Sequence, residues 1–310
     1  MRRLLAGLLF LFALQAHAWP DRPVHIIVPF APGGSADLLG RLVAQHLKGN
    51  FVVENRPGAG GVLGSEFVAR AQPDGYTLVI SGIASHAIAP ALPQGTPYDP
   101  VKDFTHIALF GGPPAVLAVN PSLEAKDLRE FVALAKSKPL SYGSPGNGTQ
   151  GQLVAELFKR KAGIELQHIP YKGASGAVTD LIAGHIPVIS TTLTTAAAQI
   201  RAGRARGLAI SAPMRLADFP DIPTFAELGY PALVATVWFS LSGPANIPAD
   251  IVERLNAEVN RALDLPEVRE RLKPEGIVPQ RLTAKEFTGF VADEAQRWAP
   301  VVRASGAKND

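Results

Sequence analysis

Two junctions constrain this chain more than anything else in it. Each runs from a β-rich segment through a glycine-rich loop into a helical pattern: PFAPGGSAD at 29–37 and YGSPGNGTQG at 142–151. Neither contains a Lys or Arg. The first N–H groups of a helix have no intrahelical partner, and the helix dipole adds partial positive charge there. A glycine-flanked helix start therefore holds a carboxylate or phosphate without a counter-charge. Two such starts, far apart in sequence, act on one anion only if each sits on its own lobe and they face each other across a cleft.

The pattern between and after the junctions fits two lobes. Val24–Pro29 reads as a buried strand and Asp37–Leu47 as a helix with Leu38, Leu42, Val43 and Leu47 on one face. Strand Phe51–Glu54, helix Val62–Ala71 and strand Tyr76–Ser81 continue a βαβα order, which calls for a parallel, helix-covered sheet. Strands Ile107–Leu109 and Ala115–Val119 follow. A second set begins after Asn120-Pro121, with helices Lys126–Lys136, Gln150–Lys161, Ala177–Ala183 and Ala196–Ala202. Its strands are Leu140–Gly143, Glu165–Pro170, Ile186–Ser190 and Gly207–Ser211. Thr236–Ser242 reads as a strand returning to the first lobe, followed by helices Ala249–Leu263 and Glu267–Leu272 and one capped by Thr283 and Glu286 that runs through Trp298 before Pro300. The layout is an α/β fold with lobe 1 discontinuous, residues 19–117 and 237–310. Lobe 2 is inserted as residues 118–236, and two crossings near Leu117 and Val237 form a hinge.

Met1-Arg2-Arg3, the apolar run Leu4–Leu14 and Ala16-His17-Ala18 follow the order of a secretory signal peptide, residues 1–18, cut after Ala18. The chain is then expected to be exported. With 0 cysteines its stability must come from an ordinary core, which a 47% hydrophobic composition supplies. The formal charge of +3 falls to +1 without Arg2 and Arg3, and no long run of like charges appears, so nucleic acid is not an expected partner.

Several motifs invite enzymatic readings. Gly146–Gly151 matches G-x-G-x-x-G, but the next strand begins with its acidic residue, Glu165, instead of ending on one, which removes the ribose contact of a dinucleotide site. Tyr142-Gly143-Ser144-Pro145-Gly146 is one residue from the G-x-S-x-G elbow of esterases, and an exported hydrolase is the alternative function. Pro145 argues against it, since it has no N–H to give an oxyanion hole. His25, His46, His86, His106, His168 and His185 never take metal-ligand spacing, so no metal or cofactor is expected. The glycines of NRPGAGG, 55–61, serve either as a third anion loop or as a close helix–strand contact.

The candidate ligand contacts are Phe30, Ala31, Gly33, Gly34, Ser35 and Asp37 from the first junction and Ser144, Gly146, Asn147, Gly148 and Thr149 from the second. Ser81 and Ser85, beside His86, follow a strand at the presumed cleft edge; Tyr171 ends another, next to Lys172. Thr191 and Thr192 follow a third, and Trp238, on the returning strand, either fills the core or walls the pocket.

Taken together, several segments resemble the Bug family, the substrate-binding proteins of tripartite tricarboxylate transporters. They are Pro29-Phe30-x-Pro32-Gly33-Gly34-x-x-Asp37, Glu54–Gly61, Pro73–Thr77, the Ser144–Thr149 loop, Tyr171-Lys172-Gly173 and Pro223-Thr224-x-x-Glu227-x-Gly229. The resemblance covers nearly the whole mature chain. It implies a type II periplasmic-binding-protein fold, a monomer of two α/β lobes that closes like a Venus flytrap, with loops 30–37 and 144–149 as a pincer on a ligand carboxylate. It also implies a receptor without catalysis, partnered by a membrane permease or a sensor ectodomain. One departure bears on the ligand. Family members that bind amino acids often carry Phe-Asp-Asn where this chain has Ser190-Thr191-Thr192, so the carboxylate that would meet a ligand ammonium is missing and a non-amino organic acid is favoured.

Overall fold

In a computed structural model, which describes residues 19–235, 237–273, 276–277, 279–305 and 307, the chain forms two five-stranded sheets. The expected signal peptide lies outside the described residues. In chain order the elements are β1 (Val24–Val28), α1 (Ser35–Ala44), β2 (Phe51–Asn55), α2 (Val62–Ala69), β3 (Thr77–Gly82), β4 (Phe104–Gly111), β5 (Ala115–Val119) and α3 (Leu128–Ser137). There follow β6 (Leu140–Ser144), α4 (Gln150–Ala162), β7 (Leu166–Pro170), α5 (Ala174–Ala183), β8 (Val188–Thr192), α6 (Leu193–Arg201) and β9 (Arg206–Ile210). The chain ends with β10 (Phe239–Pro244), α7 (Ala249–Asp264), α8 (Pro266–Leu272) and α9 (Ala284–Ser305).

The first sheet has the order β2-β1-β3-β10-β4 and the second β7-β6-β8-β5-β9. Parallel pairing holds among β1, β2 and β3 and among β6, β7 and β8, where helices make the crossovers. β10 and β5 are antiparallel to both of their neighbours. Each of these strands adjoins a passage of the chain between the lobes, so neither is placed by a crossover helix. β1, inside the first sheet, is apolar on both faces: Val24, Ile26, Ile27 and Val28 are all buried.

The ownership of β5 corrects the expected lobe boundary. Ala115–Val119 pairs with β8 and β9, so the whole strand belongs to lobe 2 and the chain crosses at 112–114, not near Leu117. Pro113 and Pro114 have no N–H to extend a ladder, which ends the first sheet there. The return passage lies beside the first: Ala235 donates its N–H to the Ser211 carbonyl at 2.9 Å, and Val237 donates to the Pro113 carbonyl at 3.0 Å. Two adjacent, hydrogen-bonded crossings form the hinge.

Three helices begin earlier than the hydrophobic periodicity suggests: α1 at Ser35, α5 at Ala174 and α6 at Leu193. The added residues are small or polar apart from Leu193, and no apolar stripe marks them. α9 also runs on through Pro300, against expectation, at the loss of one backbone bond. Trp298 and Val302 are buried in the lobe 1 core on either side of that proline and hold the helix in line. Among the described residues no helix is long and apolar enough to cross a membrane, and no group of side chains could hold a metal ion.

Candidate ligand site between the lobes

The N-terminal turns of α1, from lobe 1, and α4, from lobe 2, meet at a small cavity of about 50 Å³. Ser35 and Ala36 border it from one side, Gln150 and Gly151 from the other. Ala174, at the start of α5, and Thr192, which caps α6, complete a ring of four helix N-termini. The N–H groups of these first turns have no intrahelical acceptor, and their dipoles add in sign. Among the bordering residues none carries a charged side chain. At roughly 10–15 Å³ per water-sized group, the cavity takes a carboxylate and a short stem.

A second cavity of about 410 Å³ lies outside it, bordered by Gly58–Gly61 of the NRPGAGG segment and by Asn147, Tyr171 and Lys172. Phe30 and Pro145 border both cavities and separate them. Lys172 is the only charged residue among those bordering the outer one.

The lobes are in contact around the inner cavity. Ser35 Oγ and Thr192 Oγ1 are 2.7 Å apart, Ala31 donates its N–H to the Lys172 carbonyl at 3.1 Å, and Ser175 Oγ donates to the Pro32 carbonyl at 2.8 Å. The two lobes therefore touch directly beside the inner cavity.

Six of the residues expected from sequence do border the inner cavity: Phe30, Gly34, Ser35, Ser85, Thr149 and Thr192. Gly146, Asn147 and Tyr171 border the outer one. The others do not reach either cavity, for identifiable reasons. The Gly33 N–H is taken by the carboxylate of Asp37, four residues on, at 3.0 Å, and the Gly148 N–H by Gln152 Oε1, also four residues on, at 2.8 Å. The two loops are thus braced in the same way, and the free donors move one turn forward, into the helices. Asp37 itself is occupied by Gly33, by Arg41 Nε at 3.0 Å and by Asn55 Nδ2 at 3.0 Å. Burial opposes its charge, but the Arg41, Gly33 and Asn55 hydrogen bonds outweigh it and hold the carboxyl below the usual range. Asp37 thus braces its own loop, and Ala31 joins the two lobes.

Ser144 is fully buried with its Oγ 2.7 Å from His168 Nε2, so the chain does hold a serine–histidine pair. Ser144 borders neither cavity, Pro145, which follows it, has no N–H to give, and His168 Nδ1 lies 3.4 Å from the Gln152 amide. Ser81 is also withdrawn, lying inside the sheet 2.7 Å from both Ser240 and Ser242. Thr191 is fully buried, and Trp238 sits in the core with its indole N–H on Glu294 at 2.9 Å and its ring against Phe290. Strand periodicity explains both: Thr192 faces the cleft and Thr191 the other side, and Val237 and Phe239 face it while Trp238 does not.

Gln150, which the motif pattern did not single out, borders the inner cavity with both amide atoms buried and without a partner among the described residues. An amide left so costs about 1–3 kcal/mol. The signal for it was its place directly after the capping threonine, where helix donors and a side chain converge.

Comparison with known proteins agrees with this geometry. A family model described as tripartite tricarboxylate transporter family receptor matches residues 38–307. Protein BugT of Bordetella pertussis is 38% identical over 302 residues, covering 95% of this chain and 93% of its own. The structure of R. palustris Rpa4515 with adipate has a TM-score of 0.89 at 31% identity, covering 94% and 99% of the two chains. That of MatC from Rhodopseudomonas palustris with bound malate has a TM-score of 0.86 at 33% identity, covering 91% and 99%.

Proposed function

The chain belongs to the tripartite tricarboxylate transporter receptor family, and on that premise we propose that it is a periplasmic receptor for one small non-amino organic acid. It closes around the acid and hands it on, unaltered, to a membrane permease or a sensor. The observation that carries this reading is the inner cavity. Helix N-termini from both lobes converge on it, so a carboxylate there is bound fully only when the lobes meet. The relatives bound to adipate and malate support a carboxylate as the ligand.

The preference against amino acids rests on the lining. No Asp or Glu borders the inner cavity, and Asp37 is turned away, so a ligand ammonium is desolvated without a partner at a cost of several kcal/mol. A longer acid extends past Phe30 and Pro145 into the outer cavity, where Lys172 meets a second carboxylate. A thermal-shift panel of malate, succinate, adipate, benzoate, aspartate and glutamate tests the proposal. Non-amino acids should raise the unfolding temperature most. Greater stabilisation by aspartate or glutamate than by every other acid overturns the preference, and no response to any carboxylate overturns the receptor reading.

A further inference from the structure

Beyond β3 the backbone makes a π-helical turn, Ala84–Ile88, at the edge of the inner cavity. Such turns place side chains at spacings an α-helix does not allow and recur at functional sites. Here the turn sets Ser85 on the cavity and His86 behind it, with Ser85 Oγ 2.9 Å from His86 Nδ1. His86 is fully buried, its ring 4.5 Å from that of Phe104 and 5.8 Å from that of His106. Its Nε2 has no hydrogen-bond partner among the described residues.

Burial first, and the neighbouring His106 second, hold the His86 pKa well below the usual value, so the ring is neutral and carries one N–H. On Nε2 that proton would be a buried donor without an acceptor, which folded proteins avoid. On Nδ1 it meets Ser85 Oγ. The Ser85 hydroxyl proton must then point elsewhere, and the carbonyl of Gly82, at 3.5 Å, is too far to hold it firmly.

We propose that His86 is a positioning residue: its Nδ1–H occupies one lone pair of Ser85 Oγ, so that the Ser85 hydroxyl donates into the inner cavity to an acceptor oxygen of the ligand. The inference rests on the receptor reading above. It gives the site a side-chain donor of fixed sense beside the backbone N–H groups, suited to a carboxylate or carbonyl oxygen.

Calorimetry on wild type, Ser85→Ala, His86→Phe and the double variant tests this, using whichever of malate, succinate or adipate the wild type binds most tightly. Ser85→Ala should weaken binding about tenfold and His86→Phe by a similar factor. The double variant should bind no more weakly than Ser85→Ala, because His86 acts through Ser85. His86→Asn, whose amide places a donor where Nδ1 was, should restore most of the affinity. In wild type, nitrogen-15 NMR should show the His86 proton on Nδ1. Losses that multiply in the double variant, or a proton on Nε2, overturn the proposal; the NMR result needs no variant to fold. Failure of all three acids to bind wild type counts against the receptor reading instead, and leaves the tautomer to be decided by NMR.

Discussion

A Cβ added to Gly60 would overlap the carbonyl oxygen of Asn147, so at this point the backbone of lobe 1 rests directly on the backbone of lobe 2. Gly60 also has a φ of 64°, a conformation that side chains resist by about 1 kcal/mol. Gly60→Ala should therefore leave each lobe folded but stop closure short. In wild type, saturation with malate should lower the radius of gyration in X-ray scattering; the variant should show no such compaction and bind at least tenfold more weakly. Normal compaction and affinity in Gly60→Ala would show that this contact does not limit closure.

Gln150 borders the inner cavity, and both of its amide atoms lack a partner among the described residues. A ligand bearing a hydroxyl beside its carboxylate offers that amide a donor and an acceptor at once. Wild type should prefer malate over succinate by about tenfold, the worth of one buried hydrogen bond, and Gln150→Leu should bring the ratio near one. An unchanged ratio in the variant removes Gln150 from ligand selection.

Asp37 holds the first loop through Gly33, Arg41 and Asn55 and borders neither cavity. Asp37→Asn keeps the shape but discards the charge that Arg41 and the Gly33 amide require, and should cost about 2 kcal/mol of stability by urea unfolding. Because its carboxyl is held below the usual range, the wild-type contribution is present above the unfolded value near pH 4 and is lost as pH falls through the lower, folded one. A variant as stable as wild type at pH 7 would show that the brace is redundant.

The two buried histidines give a second, separate pH window. Burial pushes His106 down to about 4, despite its bond to the Pro100 carbonyl, and His86 well below its usual value. Between pH 6.5 and about 4 the unfolded chain binds protons that the folded chain refuses, so stability is complete above 6.5 and declines through that interval. The urea midpoint should fall from pH 7.5 to pH 4.5, and fall less in His106→Gln, whose amide still reaches the Pro100 carbonyl. Equal pH sensitivity in the two proteins would assign the decline to other groups.

Much of this was legible in the sequence. The glycine junctions, the alternating strands and helices and the two-lobed layout follow from periodicity and from where helix N–H groups must go. What was not legible is which side chains face the cleft. Thr191 and Thr192, or Trp238 and Phe239, are neighbours in sequence and opposites in space, and only the pairing register decides between them. Gly33 and Gly148 misled for a different reason. Their amides are captured by side chains four residues on, a contact that depends on rotamers and not on composition. β5 looked like the end of the first lobe because its sequence is apolar in either sheet.

The interrupted layout also sets an order of assembly. Every strand of the second sheet comes from one stretch, Ala115 to Ile210, whereas the first sheet keeps a gap between β3 and β4 until β10 arrives. As the chain emerges N-terminus first, the lobe that begins earliest is the last to be completed. For that interval β3 and β4 present unpaired edges to any neighbouring chain, and the exposure lasts as long as residues 112–238 take to pass.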